Sequence, residues 1–240
     1  CVSGTSEVIE TKDDTVKEIG VHREEPYVLK DVPQDSIALS SEAISANGRL
    51  DRNYTCEGAH EVTPPLVWRD APERTKSFVL VLEDAETDES AEGGLWTHWL
   101  LYSIPAGVSS ISSTPVTSSM LENGIQVGTN DYGSANYLGP CPRPSLIVTP
   151  HKVAYKMRKP YMASLRPYYF RLYALDKDFD FGSGATRNEV LKGIDGHIIA
   201  SGELAAEFRS TKKYHADSVN DLTPPSISDK GHIWLSPRSQ

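Results

Sequence analysis

Apolar residues in this 240-residue chain come in short runs separated by turn formers. The runs are Ile37–Leu39, Leu66–Trp68, Phe78–Leu82, Trp96–Ile104, Tyr168–Leu175 and Ile198–Leu204. Runs of this length, bounded by Gly, Pro, Asn, Asp and Ser, read as strands. They do not alternate with ten-residue helical segments, as a parallel sheet would require. The pattern therefore predicts a mainly β chain, an antiparallel β-sandwich with one or two short helices. One helix is explicit: Thr186-Arg187-Asn188-Glu189 is a capping box, followed by Val190, Leu191 and Ile194 at helical spacing. Gly193 and Gly196 are expected to end it.

The flanks have a different texture. Residues 1–35 scatter acids (Glu7, Glu10, Asp13, Asp14, Glu24, Glu25) among few apolar side chains, which reads as a polar tether with one short ordered stretch at Tyr27–Leu29. Residues 36–210 form the predicted domain. Residues 211–240 are polar, with Pro224, Pro225 and Pro237, and read as a C-terminal extension in which Ile233 and Trp234 dock. No internal repeat is present.

Composition narrows the classes. The chain is long enough for one sizeable core, and no segment approaches the ~18 uninterrupted apolar residues of a membrane span. A net charge of −9 argues against nucleic acid, which needs a clustered basic face. It leaves room for a small anion, because a local pocket can be positive on an acidic protein. No paired Cys or His spacing suggests a metal, and nothing points to a cofactor.

The chain starts at Cys1. A Cys at the first position, followed by a polar leader, suits a processed bacterial lipoprotein with diacylglycerol on the thiol; a trimmed chain is the alternative. The first reading implies a membrane-anchored protein of the bacterial cell envelope, on the periplasmic or outer face. Cys56 and Cys141 then remain, an even pair compatible with one disulfide or with two buried thiols.

The most informative stretch is Val127–Pro144, VGTNDYGSANYLGPCPRP. Its Gly and Pro residues exclude a helix, and Tyr132 and Tyr137 interrupt the polar run with flat aromatic bodies. Such a rigid loop can turn amide N–H groups into a concavity that suits an anion, or can simply close a sheet.

Other motifs stand around it in a fixed order: PPLVW at Pro64–Trp68, SFVLVLEDA at Ser77–Ala85, LWTHWLLYSIP at Leu95–Pro105, PYYFRLYAL at Pro167–Leu175 and IASGELAAEF at Ile199–Phe208. Together they resemble the phosphatidylethanolamine-binding protein family, in its bacterial Raf-kinase-inhibitor-like branch, over about Ser36 to Phe208. The resemblance implies an antiparallel Greek-key β-sandwich with a shallow pocket for phosphate or phosphoethanolamine-like head groups. It implies ligands at Asp84, His98, the loop Gly139, Pro140, Cys141 and Pro142, and Tyr168. The chain departs from the family pattern in three places. Ala85 and Glu86 replace a Pro and a second Asp after Asp84, Arg166 stands where a partner His is usual, and residues 145–165 are an insertion before β-forming PYYFRLYAL.

The chemistry of these residues suits an anion. Burial would hold His98 neutral unless a carboxylate or an anion stabilised its charge. Asp84 is expected to accept one ring N–H, leaving the other nitrogen as a donor. Arg166 is permanently charged and can grip phosphate through two parallel N–H bonds. Taken singly, His98 is also explained as a satisfied core histidine, Asp84 as a strand-end acid and Tyr168 as sandwich packing. The insertion places His151, Lys152, Lys156, Arg158 and Lys159 with Tyr155 and Tyr161 beside the expected pocket, either a strip for anionic lipid or a protein partner across 151–161 or a solvated lid.

Enzyme signals are weak: no Gly-x-Ser-x-Gly elbow appears, and Gly182-Ser183-Gly184 precedes a capping box rather than following a strand. The sequence therefore points to a membrane-tethered, non-enzymatic anion-binding protein. The alternatives are an interaction module that inhibits a kinase or serine protease, and a hydrolase using His98 and Asp84.

Overall fold

The computed structural model describes residues 26–33, 36–58, 62–85, 95–113, 123–131, 133–140, 145–149, 152–156, 165–210, 226–227 and 233–234. Two antiparallel sheets carry the domain. The larger is five-stranded, built from β3 (Ser77–Ala85), β4 (Leu95–Pro105), β6 (Gln126–Val127), β9 (Arg166–Leu175) and β10 (Ile198–Phe208), in the order β10-β9-β3-β4-β6. The smaller is three-stranded, from β1 (Ala38–Ser40), β2 (Leu66–Arg69) and β5 (Ser110–Ile111), in the order β1-β2-β5. With β5 assigned to the facing sheet, β3, β4 and β6 run in sequence and β9 returns beside β3. That is the long connection of a Greek key.

Alternation along the strands sorts side chains into two cores. Phe78, Leu80 and Leu82 of β3, Trp99 and Leu101 of β4, and Phe170 and Leu172 of β9 meet Leu39, Leu66, Trp68 and Ile111 of the smaller sheet. Trp68 and Phe78 pack edge to face, with ring centroids 5.6 Å apart. On the opposite face of the larger sheet, Val79, Val81, Leu100, Tyr102 and Tyr173 lie under α1 (Arg187–Ile194) through its Val190, Leu191 and Ile194.

The capping box is formed: the Thr186 side chain accepts from the Glu189 N–H, and the Glu189 carboxylate accepts from the Thr186 N–H at 2.8 Å. Gly193 does not end the helix but lies within it, and glycine is needed there for space: a Cβ would meet Phe181 Cε1 at 2.3 Å. Gly196, at φ +83°, takes the left-handed conformation just beyond the helix. Tyr27 and Leu29 pack against the helix-side core, and Tyr27 is bonded to α1 at both ends: its N–H donates to Asn188 Oδ1 at 2.7 Å and its hydroxyl to Asp195 Oδ2 at 2.5 Å.

The insertion contains an element that the sequence reading did not anticipate. β7 (Ser145–Thr149) and β8 (Lys152–Lys156) pair antiparallel as a ribbon. In the C-terminal extension, β11 (Ser226–Ile227) pairs with β12 (Ile233–Trp234), Ile227 facing Ile233 and Ser226 facing Trp234.

Candidate functional site

The site stands at one end of the larger sheet, where β3 finishes and β4 and β9 begin. Asp84 faces Trp96 on β4 and Tyr168 on β9 across the ladder. Like Leu82 two residues before it, Asp84 points to the inner face, as Tyr168 does. His98 reaches the same face through an irregularity. Leu82 pairs with Trp99 and Glu83 with Thr97, so His98 is the extra residue of a β-bulge. Strict alternation would send it to the face opposite Trp99; the bulge re-aims it. Its Nε2 comes 3.6 Å from Asp84 Oδ2, and its ring packs edge to face on Tyr168 with centroids 5.4 Å apart. All three side chains are buried, with residue exposures of 1% for Asp84 and 0% for His98 and Tyr168.

The Gly-Pro loop closes on this cluster from the β4 side. His98 Nδ1 lies 3.2 Å from the Leu138 carbonyl, and the Leu138 N–H donates to the His98 carbonyl at 3.3 Å. A carbonyl only accepts, so Nδ1 carries the hydrogen and Nε2 faces Asp84. The expectation that Asp84 takes one ring nitrogen and leaves the other as a donor is thereby corrected: Nε2 does face Asp84, but the donor at Nδ1 goes to the loop carbonyl. Gly139 and Pro140 are buried against a single 3₁₀ turn, Arg52–Tyr54. A Cβ at Gly139 would meet Thr55 Cα and the Tyr54 carbonyl at 2.8 Å, both backbone, so no side chain fits.

Further residues hold the loop, and the sequence reading missed them. Asp131 mimics a strand partner of Thr97, its carboxylate accepting from the Thr97 N–H at 2.6 Å while its own N–H donates to the Thr97 carbonyl at 3.0 Å. Asn130 Nδ2 donates to the Asn136 carbonyl at 3.1 Å, and Asn130 Oδ1 accepts from the Ser134 N–H at 3.2 Å. Tyr137 is buried against Trp99 and donates its hydroxyl to the Tyr54 carbonyl at 2.6 Å. Burial, then the neighbouring Tyr168 and Tyr54 phenols, push its hydroxyl well above the usual tyrosine range. The signal for the Asn and Asp roles was present in their turn chemistry.

Arg166 opens β9 two residues before Tyr168, on the same face and half-buried, opposite Phe208. Cys56 is disulfide-bonded, and its N–H donates to the Pro140 carbonyl at 3.2 Å. Cys1, Cys141 and Pro142 lie outside the described residues, as do His151, Arg158, Lys159 and Tyr161 of the basic strip. The segments leaving this end of the sheet, 86–94 after β3 and 157–164 before β9, are likewise outside them.

The back of the site is ionic. Glu83, one residue before Asp84 and 1% exposed, points to the opposite face. There it binds the Arg171 guanidinium and accepts from Arg187 Nε at 2.7 Å. Arg171 also donates to Glu203 at 2.8 Å, and Arg187 to the Tyr27 carbonyl at 2.8 Å. An open cleft of about 480 Å3, lined by Val67, Trp68, Asp70, Phe78, Ala106 and Val108, lies at the other end of β3 and β4 and touches none of these residues.

A two-sheet antiparallel sandwich that gathers an acid, a histidine and a tyrosine under a proline-closed loop defines a narrow structural class, and comparison with known proteins gives its family. A family model described as phosphatidylethanolamine-binding protein matches residues 40–153. A UPF0098 protein of Methanothermobacter thermautotrophicus is 32% identical over 171 residues, covering 71% of this chain and 97% of the relative. A UPF0098 protein of Chlamydia trachomatis is 34% identical over 175 residues, with coverage of 71% and 97%. The crystal structure of a phosphatidylethanolamine-binding protein homologue from Chlamydia trachomatis aligns with TM-score 0.57 and 30% identity, over 73% of this chain and 99% of that one. E. coli YbcL, at 23% identity and TM-score 0.56, shares the fold. The chain belongs to the phosphatidylethanolamine-binding protein family.

Proposed function

We propose that this protein binds a small phosphate-bearing head group at the end of the sandwich, without catalysing a reaction. The observation that carries the reading is the convergence of Asp84, His98 and Tyr168, three polar side chains buried on one face within a bulged, loop-clamped corner. A carboxylate, an imidazole and a phenol gathered at one corner are the few convergent polar groups that orient a polar ligand. A carboxylate beside the donors repels a bare multivalent anion. It suits a ligand that brings its own cation. Phosphoethanolamine does so: the ammonium would meet Asp84 and the neighbouring Nε2 of His98, and the phosphate would meet Tyr168 and Arg166.

The test is calorimetric titration of the full chain with phosphoethanolamine and with inorganic phosphate. Phosphoethanolamine is expected to bind more tightly. His98→Ala should weaken it by about 1.5–3 kcal/mol, the scale of one hydrogen bond to a charged group, with the far-UV spectrum unchanged. Unchanged affinity in a folded His98→Ala chain overturns the reading. Turnover of phosphate or acyl esters that disappears with His98 would replace it by the hydrolase reading.

A further inference from the structure

Charge is segregated along this chain. From Tyr132 to Leu175 the sequence holds no Asp or Glu, although the chain as a whole carries a net charge of −9. Over that span it places Arg143, Lys152, Lys156, Arg158, Lys159 and Arg166, ahead of the Glu83-bound Arg171. In the middle of the span, β7 and β8 form a two-stranded sheet of their own. Their register sets Leu146 opposite Tyr155 and Val148 opposite Val153. Between these pairs it sets Ser145 opposite Lys156, Ile147 opposite Ala154 and Thr149 opposite Lys152. Residues directly opposed share a face, so one face of the ribbon holds Leu146, Val148, Val153 and Tyr155 and the other holds both lysines. A two-stranded ribbon is marginal in water unless such a face is covered.

We propose that this ribbon docks on an anionic lipid surface, with the face of Leu146, Val148, Val153 and Tyr155 toward the acyl boundary. An amphipathic element with basic residues on its polar side is the composition that lies in a membrane interface. The ribbon is one strand thick, so its lysines stay within about a Debye length, ~8–10 Å, of the phosphates, where each attracts the surface. Acidic protein partners usually present hydrogen-bonding groups as well as charge, and a face whose one polar atom is the Tyr155 phenol reads few of them. The chain continues from β8 through 157–164 into Arg166 and Tyr168, so a docked ribbon would hold the head-group corner near the surface from which head groups come. The docking itself does not depend on the corner binding anything.

Flotation of the full 240-residue chain, in unacylated form, tests this on neutral phosphatidylcholine vesicles and on vesicles with about one-third phosphatidylglycerol. The chain should float with the anionic vesicles and be released by high salt. Lys152→Ala with Lys156→Ala should lower partitioning roughly tenfold or more. Removing two exposed arginines elsewhere, Arg69→Ala with Arg74→Ala, should leave it unchanged. Should the alanine pair disturb folding by circular dichroism, Lys152→Arg with Lys156→Arg must retain full binding. Equal binding to both vesicle types, or partitioning indifferent to the lysine pair, overturns the proposal. So does no flotation at all, and retention on a polyglutamate matrix would then identify an acidic protein partner instead. Phosphoethanolamine titration of the lysine variants reads the corner separately, so loss of one function does not mimic loss of the other.

Discussion

His98 owes its place to a single extra residue in β4. Without the bulge opposite Leu82, alternation would turn the imidazole away from Asp84 and Tyr168. The same ladder determines how neighbouring acids divide their work: Asp84 faces the site and Glu83 the ionic back, one residue apart. Tyr173, on the face of Glu83, reports that back by its titration. Burial first, and then the Glu83 carboxylate, push its hydroxyl up to about 12. A tyrosine raised in the folded state contributes stability that is fully present below its unfolded value of ~10 and is lost as pH rises toward 12. Denaturant unfolding between pH 9 and pH 11.5 should therefore show stability falling by up to ~1.4 kcal/mol per pH unit above ~10 from this group. Tyr173→Phe should remove that share of the slope; parallel curves for the two chains would show that Tyr173 does not titrate across the transition.

Elements were legible where local chemistry determines them. Runs of apolar residues located β2, β3, β4, β9 and β10: β3 and β4 are buried on both faces along most of their length, while β2 alternates buried Leu66 and Trp68 with exposed Val67 and Arg69. The capping box located α1 because its hydrogen bonds are local. Registers were not legible, since they depend on partners far along the chain. Glu83 accepts from Arg171 and Arg187, which are brought beside it only when β9 pairs with β3 and α1 crosses the sheet. Period-two alternation could have separated Glu83 from Asp84, but not named the arginines. The β7–β8 ribbon escaped notice because Lys152, Tyr155 and Lys156 of β8 were read as part of a basic strip. Glu83 joins β3, β9, α1 and, through Arg187, the Tyr27 segment. Glu83→Gln removes a buried charge from between two guanidinia, a change that typically costs about 3–5 kcal/mol. The shortfall from that range should be modest, because Arg171 keeps Glu203. Urea unfolding should show the loss, with hydrogen exchange rising over residues 26–33 as the Arg187 anchor loosens; a stability change under ~1 kcal/mol would mean that the cluster is solvated rather than structural.

At the scale of the molecule, the family's motifs gave the sandwich and singled out Asp84, His98 and Tyr168, which the structure brings together, while the loop's attachment had to come from the structure. Gly139 sits against the 3₁₀ turn, Tyr137 bonds the Tyr54 carbonyl, and the Pro140 carbonyl accepts from Cys56. These contacts tie the loop that clamps His98 to a segment far earlier in the chain. Cys56 is disulfide-bonded, and the sequence offers it two partners, Cys1 and Cys141. Residue 141 follows Pro140, whose carbonyl is 3.2 Å from the Cys56 nitrogen, and consecutive Cα atoms are ~3.8 Å apart, within the reach a disulfide needs. Cys141 is the expected partner. Closing a loop of that length is worth roughly 4–5 kcal/mol in the chain-entropy account, on top of fixing the loop against the turn. Proteolytic mapping without reductant should release one fragment joining the Cys56 and Cys141 peptides, and reduction should lower the melting temperature and weaken phosphoethanolamine binding together. A Cys1–Cys56 fragment would assign the bridge to the leader. In that case reduction should leave the His98 corner and its affinity untouched.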